Sequence, residues 1–330
     1  MNDDRRPPCS IEKEEWKKKT PSGSKVWERG IMPHTSKTQR GANASTFFLQ
    51  NKRRETHRSQ NEDQMLTRAM GGPFAEQDDP NLFQRVLNIA CGSGDWIIEA
   101  ALLYPHLSLV GIDNNALVIN YARENAIAAR VEDRTTFQVM DALRPLDFPA
   151  EHFDLINLRL GVTFIRTWEW PELLAEMVRI ARPGAVIRLT EPYIIHQSKG
   201  PTDNIALKKL HTGLVHALYH SGHLFEETTN GIVAHLAPLL SRYGCKEIQT
   251  KAYALEVRAG TPEWQAYYTN ATHVIRGSRP FLMKWGEITE DFDLLQQQAM
   301  DEMLKPDFHS AWNFLTVWGK IPQDTQAKRE

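Results

Sequence analysis

The chain has 330 residues, 41% of them hydrophobic, with 39 Lys and Arg against 41 Asp and Glu for a formal net charge of −2. This length suits one large α/β domain or one domain with a helical accessory part, and the near-neutral charge predicts no strong pull toward nucleic acid or an anionic membrane. No apolar run is long enough for a membrane span, the first residues lack a secretory apolar stretch, and Cys9, Cys91 and Cys245 suggest neither a disulfide framework nor a zinc site, so a cytoplasmic protein is expected.

Residues 1–45 are polar and rich in Pro, Gly, Ser and Thr, which predicts a disordered tail. Residues 46–81 read as a helical lid. Phe47, Phe48 and Leu49 form an apolar knot, Met65, Leu66, Ala69 and Met70 recur at helical spacing, and Gly71-Gly72-Pro73 ends the pattern. Residues 82–192 then alternate between strand and helix. Strands are expected over 85–90, 107–112, 135–140, 153–158 and 185–189, with helices over 96–103, 116–129 and 171–181. Such alternation predicts a parallel sheet with helices on both faces and right-handed crossovers. Residues 193–245 read as a helical insertion capping the substrate, with helices over 203–225 and 231–243. Residues 246–330 hold the last strands, over 247–257 and 312–318, separated by a polar helical stretch over 261–304.

The first strand runs into Asn88-Ile89-Ala90-Cys91-Gly92-Ser93-Gly94-Asp95. A glycine turn between strand and helix lets a ligand approach the backbone, and the free N–H groups of the helix start are donors. Any tight turn of this kind wants glycine, so the ligand is argued from its neighbours. In a dinucleotide fingerprint the third glycine position would fall on Asp95, an acid poorly placed beside a pyrophosphate, and no G-x-x-x-x-G-K-S/T run occurs. A sulfonium with an α-amino group suits acidic and neutral polar surroundings better. Asp113 ends the second strand, where a carboxylate can accept from both ribose hydroxyls or cap the next helix. Asp141 follows the third strand, where a carboxylate can accept from an adenine amino group.

The segments VLNIACGSGDW, LVGIDNN, VMDALRPLDFPAEHFDLINLRLG and ELLAEMVRIARPGAVIRLTEP together resemble the core of class I S-adenosylmethionine-dependent methyltransferases. The layout from about Phe47 to FLTVWGK is similar to the ubiquinone-methylase-like group, and nearest in plan to the fungal secondary-metabolism-regulator type. The resemblance implies a Rossmann-like seven-stranded, mostly parallel sheet in an α/β fold, with an N-terminal helical lid and helical insertions. It implies S-adenosyl-L-methionine as cofactor, bordered by Ala90, Gly92 and Gly94, with Asp113 and Asn114 at the ribose and Asp141 and Ala142 at the adenine. Asn88, Asn157 and Leu158 would complete the cofactor site, and Arg159 would face the reaction centre. Where this sequence has Asn88 and Ala90, the family usually has an acid and a glycine.

Methyl transfer is an in-line displacement that needs a general base only when the acceptor must lose a proton. Glu191, Tyr193 and His196 sit at the exit of the fifth strand as candidate catalytic groups, with an exposed loop acid as the plain alternative for Glu191. His211, His216, His220 and His223 lie along the insertion. His216 and His220 share a helix face, and with Trp168 they are candidate acceptor contacts. The histidine pair has metal-ligand spacing, but no acid or cysteine within the helix completes a set, so no metal is expected. Leu214, Val215, Leu218 and Tyr219 could line an acceptor pocket. The expected partner is a small-molecule acceptor, with natural-product biosynthesis suggested by the resemblance and a homodimer left open. The alternatives are a regulatory protein that keeps the fold, motivated by Asn88 and Ala90, and a nucleic-acid methyltransferase. The basic residues 52–58 would favour the latter, and the absence of an Asn/Asp-Pro-Pro-aromatic run after the fourth strand disfavours it.

Overall fold

The computed structural model describes residues 63–194, 197–198, 204–288 and 291–323. The expected tail, the apolar knot, the basic stretch and His196 lie outside the described residues. Among the described residues eight strands form one sheet: β1 (Arg85–Ile89), β2 (Ser108–Asp113), β3 (Thr135–Val139), β4 (Phe153–Arg159), β5 (Ala181–Pro192), β6 (Gln197–Ser198), β7 (Lys246–Arg258) and β8 (His309–Lys320). The order is β3-β2-β1-β4-β5-β8, with β7 on the far side of β8. β1 to β5 pair in parallel, and β8 is antiparallel to β5. The two-residue β6 continues the track of β5 along β8. Seven full strands, mostly parallel, therefore make the expected Rossmann-like sheet.

The parallel strands are short apolar runs because both of their faces are covered. Helix α2 (Asp95–Leu103) and α3 (Ala116–Ala128) cover one face, where Val86, Leu109, Phe137 and Leu155 pack on Trp96, Ile97 and Ile119. Helix α4 (Trp170–Ile180) and α6 (Val233–Arg242) cover the other, where Leu87, Ile156 and Ile187 meet Leu174, Met177, Leu236 and Leu240. A third apolar cluster forms a cap. Its helices are α1, described over 63–70, α5 (Ile205–His220), α7 (Pro262–Trp285) and α8 (Phe292–Met303). Met65, Leu66, Leu207, Leu210, Ile275, Leu282, Leu295 and Met300 interdigitate there with Tyr253, Trp312 and Phe314 from β7 and β8.

The structure revises several boundaries. The helix expected over 203–225 ends at His220, because Gly222 takes a left-handed φ of +86°. His223 N–H donates to the Leu218 carbonyl and Gly222 N–H to that of Tyr219, the two bonds of a Schellman stop. α6, expected in the substrate cap, packs on the sheet, since its apolar face (Val233, Leu236, Leu240) joins the α4 core. The single helical stretch expected over 261–304 is two helices, capped by Thr261 and Asp291, and both belong to the cap. The fifth strand begins at Ala181, with its pairing interrupted between Phe153 and Leu155 of β4. No described helix is long and apolar enough to cross a membrane.

Candidate functional site

Strands β1 to β5 all end on one rim of the sheet, where open α/β sheets bind ligands. After β1 the chain makes a tight left-handed turn, with φ of +54° at Ala90, +54° at Gly92 and +81° at Gly94. Glycine suits two of those places, while the methyl of Ala90 costs about 1–2 kcal/mol in that region. Gly94 is doubly constrained, since a β-carbon there would lie 2.7 Å from the Phe137 ring and 3.0 Å from Ala122. Asp113 fastens the turn to the end of β2. Its Oδ2 accepts from Gly92 N–H at 3.2 Å and its Oδ1 from Asn115 N–H at 2.9 Å. Burial raises the Asp113 pKa, and those two N–H groups oppose the rise. Asn114 beside it is exposed. Asp141, also exposed, accepts from Leu143 N–H at 3.0 Å, and Ala142 is buried next to it.

Asn88 and Asn157 are cross-strand neighbours and bond each other: Asn157 Nδ2 donates to Asn88 Oδ1 at 2.7 Å. The row continues through Arg188, whose guanidinium donates to Asn157 Oδ1 at 2.5 Å and pairs with Glu76. Tyr253 then donates to Glu76 at 3.3 Å. Both partners of the Arg188–Glu76 pair are fully buried, so removing either would strand the other charge. The acid expected by resemblance at position 88 is thus replaced by an amide that belongs to a buried polar row. Leu158 is buried in the core.

Arg159, expected to face the reaction centre, is engaged by α1 and the start of α2. Its buried guanidinium pairs with Asp63 and donates to Thr67 Oγ1 at 2.9 Å, both on α1, and lies 5.9 Å from the Trp96 ring centre. Asp63 also accepts from Trp96 N–H at 2.9 Å, and Gln64 donates to Asp95 at 2.9 Å. Helix α1 therefore clasps the end of β4 and the first turn of α2 through polar side chains.

Glu191 is not an exposed loop acid, and it is not among the residues that line the cavity under the cap. It is fully buried at the end of β5 and accepts from Gly161 N–H at 2.6 Å and Val162 N–H at 3.0 Å. Burial pushes its pKa to about 8, against those two bonds. It is a positioning residue for the turn after β4, where Leu160 has a φ of +57°. Beyond that turn lies a cavity of about 140 Å³ between the sheet rim and the cap. Leu160, Thr163 and Tyr193 line it from the rim, and His211, Leu214, Leu218, Asn270 and Ile275 from α5 and α7. Its walls are mainly apolar. Desolvation lowers the His211 pKa to about 4, which leaves the ring neutral at pH 7, and burial raises that of the Tyr193 phenol.

Of the expected catalytic groups among the described residues, Tyr193 lines this cavity, as does His211 from the insertion. Trp168 does not: it is 60% exposed and packs on the Gly222 turn, with Arg166 over its ring. His216 and His220 do not line it either, because they face Glu227, and His216 also Glu287. Val215 is buried in the α4 core and Tyr219 is exposed, so half of the expected apolar run reaches the pocket. Asn270, Tyr267 and Ile275 escaped sequence analysis because α7 reads as polar overall. Their spacing of three to five residues along one helix was the available signal.

Residues 86–184 match a family described as a methyltransferase domain. The chain is 23% identical over 185 residues to methyltransferase str3 of Strobilurus tenacellus, covering 56% of this chain and 60% of that protein. It is 35% identical over 108 residues to a demethylmenaquinone methyltransferase of Deinococcus radiodurans, covering 33% and 43%. It is 25% identical over 259 residues to N-methyltransferase gliN of Aspergillus fumigatus, covering 74% and 84%. The matched regions thus span less than two thirds of the first two relatives.

Proposed function

We propose that this chain, built on a class I methyltransferase domain, transfers a methyl group from S-adenosyl-L-methionine to a nitrogen of a small, largely apolar acceptor. One observation carries this function: the left-handed turn after β1, the tethered Asp113 carboxylate after β2 and Asp141 after β3 share a rim with an apolar cavity closed by the cap.

The residues present fit that cofactor. A ribose diol calls for a carboxylate acceptor, and Asp113 keeps a half-buried one at the end of β2. Adenine would sit by Asp141 and Ala142. The methionine end calls for accessible backbone and nearby acids: Ala90 and Gly92 are partly exposed on the turn that Gly94 closes, and Asp63 and Asp95 stand at the start of the next helix. When bound, the cofactor supplies an electrophilic methyl group on a positively charged sulfur with a good leaving group.

The chain's own residues then have to hold the acceptor in line. Such positioning is worth about 7–11 kcal/mol where the reacting atoms meet at attack distance. An apolar wall disfavours a protonated amine, so the cavity delivers the neutral nucleophile without a strong base. The neutral His211 ring and the Tyr193 phenol can orient the acceptor. Glu191 keeps Leu160 and Thr163 on the cavity wall by holding the turn after β4. The name of the Aspergillus relative supports a nitrogen acceptor, and a role in natural-product biosynthesis rests on the sequence resemblance alone.

The test is transfer of a labelled methyl group from the cofactor to hydrophobic amines, phenols and thiols by the full chain. Labelled amine is the expected product. Labelling of phenols alone would overturn the nitrogen assignment, and cofactor binding with no transfer to any class would favour a regulatory protein.

A further inference from the structure

Away from the cavity, the outer face of the cap brings four ligand-type side chains together from three places in the chain. His216 and His220 stand on adjacent turns of α5, with ring centres 4.0 Å apart. Glu227 reaches back to both: its Oε1 lies 2.7 Å from His216 Nδ1 and its Oε2 3.9 Å from His220 Nε2. The other nitrogen of His216, Nε2, lies 3.5 Å from Glu287 Oε1.

The backbone explains the convergence. Gly222 reverses the chain after α5, so the loop carrying Glu227 runs back along the helix it has just left. On the other side α5 and the end of α7 touch through glycine. A β-carbon at Gly213 would stand 3.2 Å from the Gly286 carbonyl oxygen, and one at Gly286 3.1 Å from that of Gly213. That contact sets Glu287 beside His216, one turn further along α5. Glu287 itself has a φ of +50°, a conformation that disfavours any residue with a β-carbon.

We propose that His216, His220 and Glu227 bind one divalent transition-metal ion, with Zn²⁺ the favoured species, and that Glu287 orients His216 through its second ring nitrogen. One ligand atom from each of the three lies within 4.8 Å of the others. Ligand atoms around a tetrahedral zinc, at bonds of about 2.0–2.2 Å, are about 3.3–3.6 Å apart, so small side-chain rotations close the site. Two imidazoles and a carboxylate suit zinc better than magnesium or calcium, which prefer oxygen. The arrangement leaves a fourth position for water. A carboxylate on the far nitrogen of a ligating histidine is the usual outer support of such sites, and the two carboxylates together balance a divalent charge. His220 and Glu227 are 46% and 44% exposed, so an ion reaches the site from solvent. Bound there, it ties α5, which carries His211, Leu214 and Leu218 of the cavity wall, to the turn behind it.

The test is calorimetric titration of tag-free, chelator-treated full-length protein with ZnCl₂, repeated with Co²⁺ for its visible absorption. We expect one saturable site of micromolar affinity or tighter, a Tm that rises with zinc, and a cobalt spectrum of tetrahedral type. His220→Ala and the near-isosteric Glu227→Gln should each weaken binding about tenfold or more, and Glu287→Gln by about tenfold. Far-UV circular dichroism should be unchanged in all three. No saturable binding below about 1 mM, a regime of negligible site affinity, would overturn the proposal. So would zinc binding that all three variants leave unchanged, which would place the ion on other histidines or cysteines. Neither result depends on methyl transfer.

Discussion

Ala90 and Gly94 occupy the same kind of backbone conformation but respond oppositely to substitution. Ala90 has a φ of +54° and carries a methyl group that this region penalises. Ala90→Gly removes that penalty and adds the flexibility cost of glycine, so a net gain of about 0.5–1 kcal/mol is expected in urea unfolding. Gly94→Ala adds both a left-handed strain and a clash with Phe137 at 2.7 Å, so a loss of about 2–4 kcal/mol is expected. Equal effects of the two changes would contradict this view of the turn. The glycine pattern is legible from sequence because turn chemistry is local. The fate of Asn88 is not, since its partner Asn157 stands 69 residues away and is set by sheet register. Arg159 is hidden for the same reason: its counter-charge Asp63 lies in the lid, 96 residues earlier.

At the scale of elements, the turn after β4 depends on a carboxylate from the next strand. The Glu191 pKa stands at about 8 in the folded protein, against 4.5 for an ordinary glutamate. The folded state therefore holds a proton that the unfolded state has lost between those values. Its stabilising contribution is full below about pH 4.5 and is lost as pH rises through 8, by an amount on the order of 3–5 kcal/mol. Subtracting the stability–pH profile of Glu191→Gln from that of the wild type should give a curve that falls across this range. A flat or rising difference would show that the carboxylate is ionised in place. The strands and helices of the sheet core follow from periodicity, because each buries a regular apolar face. Helix ends follow less well. Gly222 stops α5 within a run that keeps its helical pattern, and a break between α7 and α8 leaves no mark in the polar composition of 261–304.

At the scale of the molecule, a Rossmann-like sheet carries the proposed cofactor rim, and a helical cap of four separated segments packs over a cavity beside it. The placement of Gly92, Asp113 and Asp141 at strand ends is legible because each follows a strand that periodicity marks. The cavity is not, because His211, Asn270 and Leu160 come from three elements that the cap alone brings together. Asp113 joins the two levels, since it secures the glycine turn and is the residue that the proposed function assigns to the ribose. The decisive measurement is calorimetric titration of the full chain with S-adenosyl-L-methionine, alongside Asp113→Ala. Saturable one-to-one binding is expected, weakened about tenfold or more in the variant, equivalent to about 1.4 kcal/mol or more. No binding at millimolar cofactor, or identical affinity in the variant, would contradict the account.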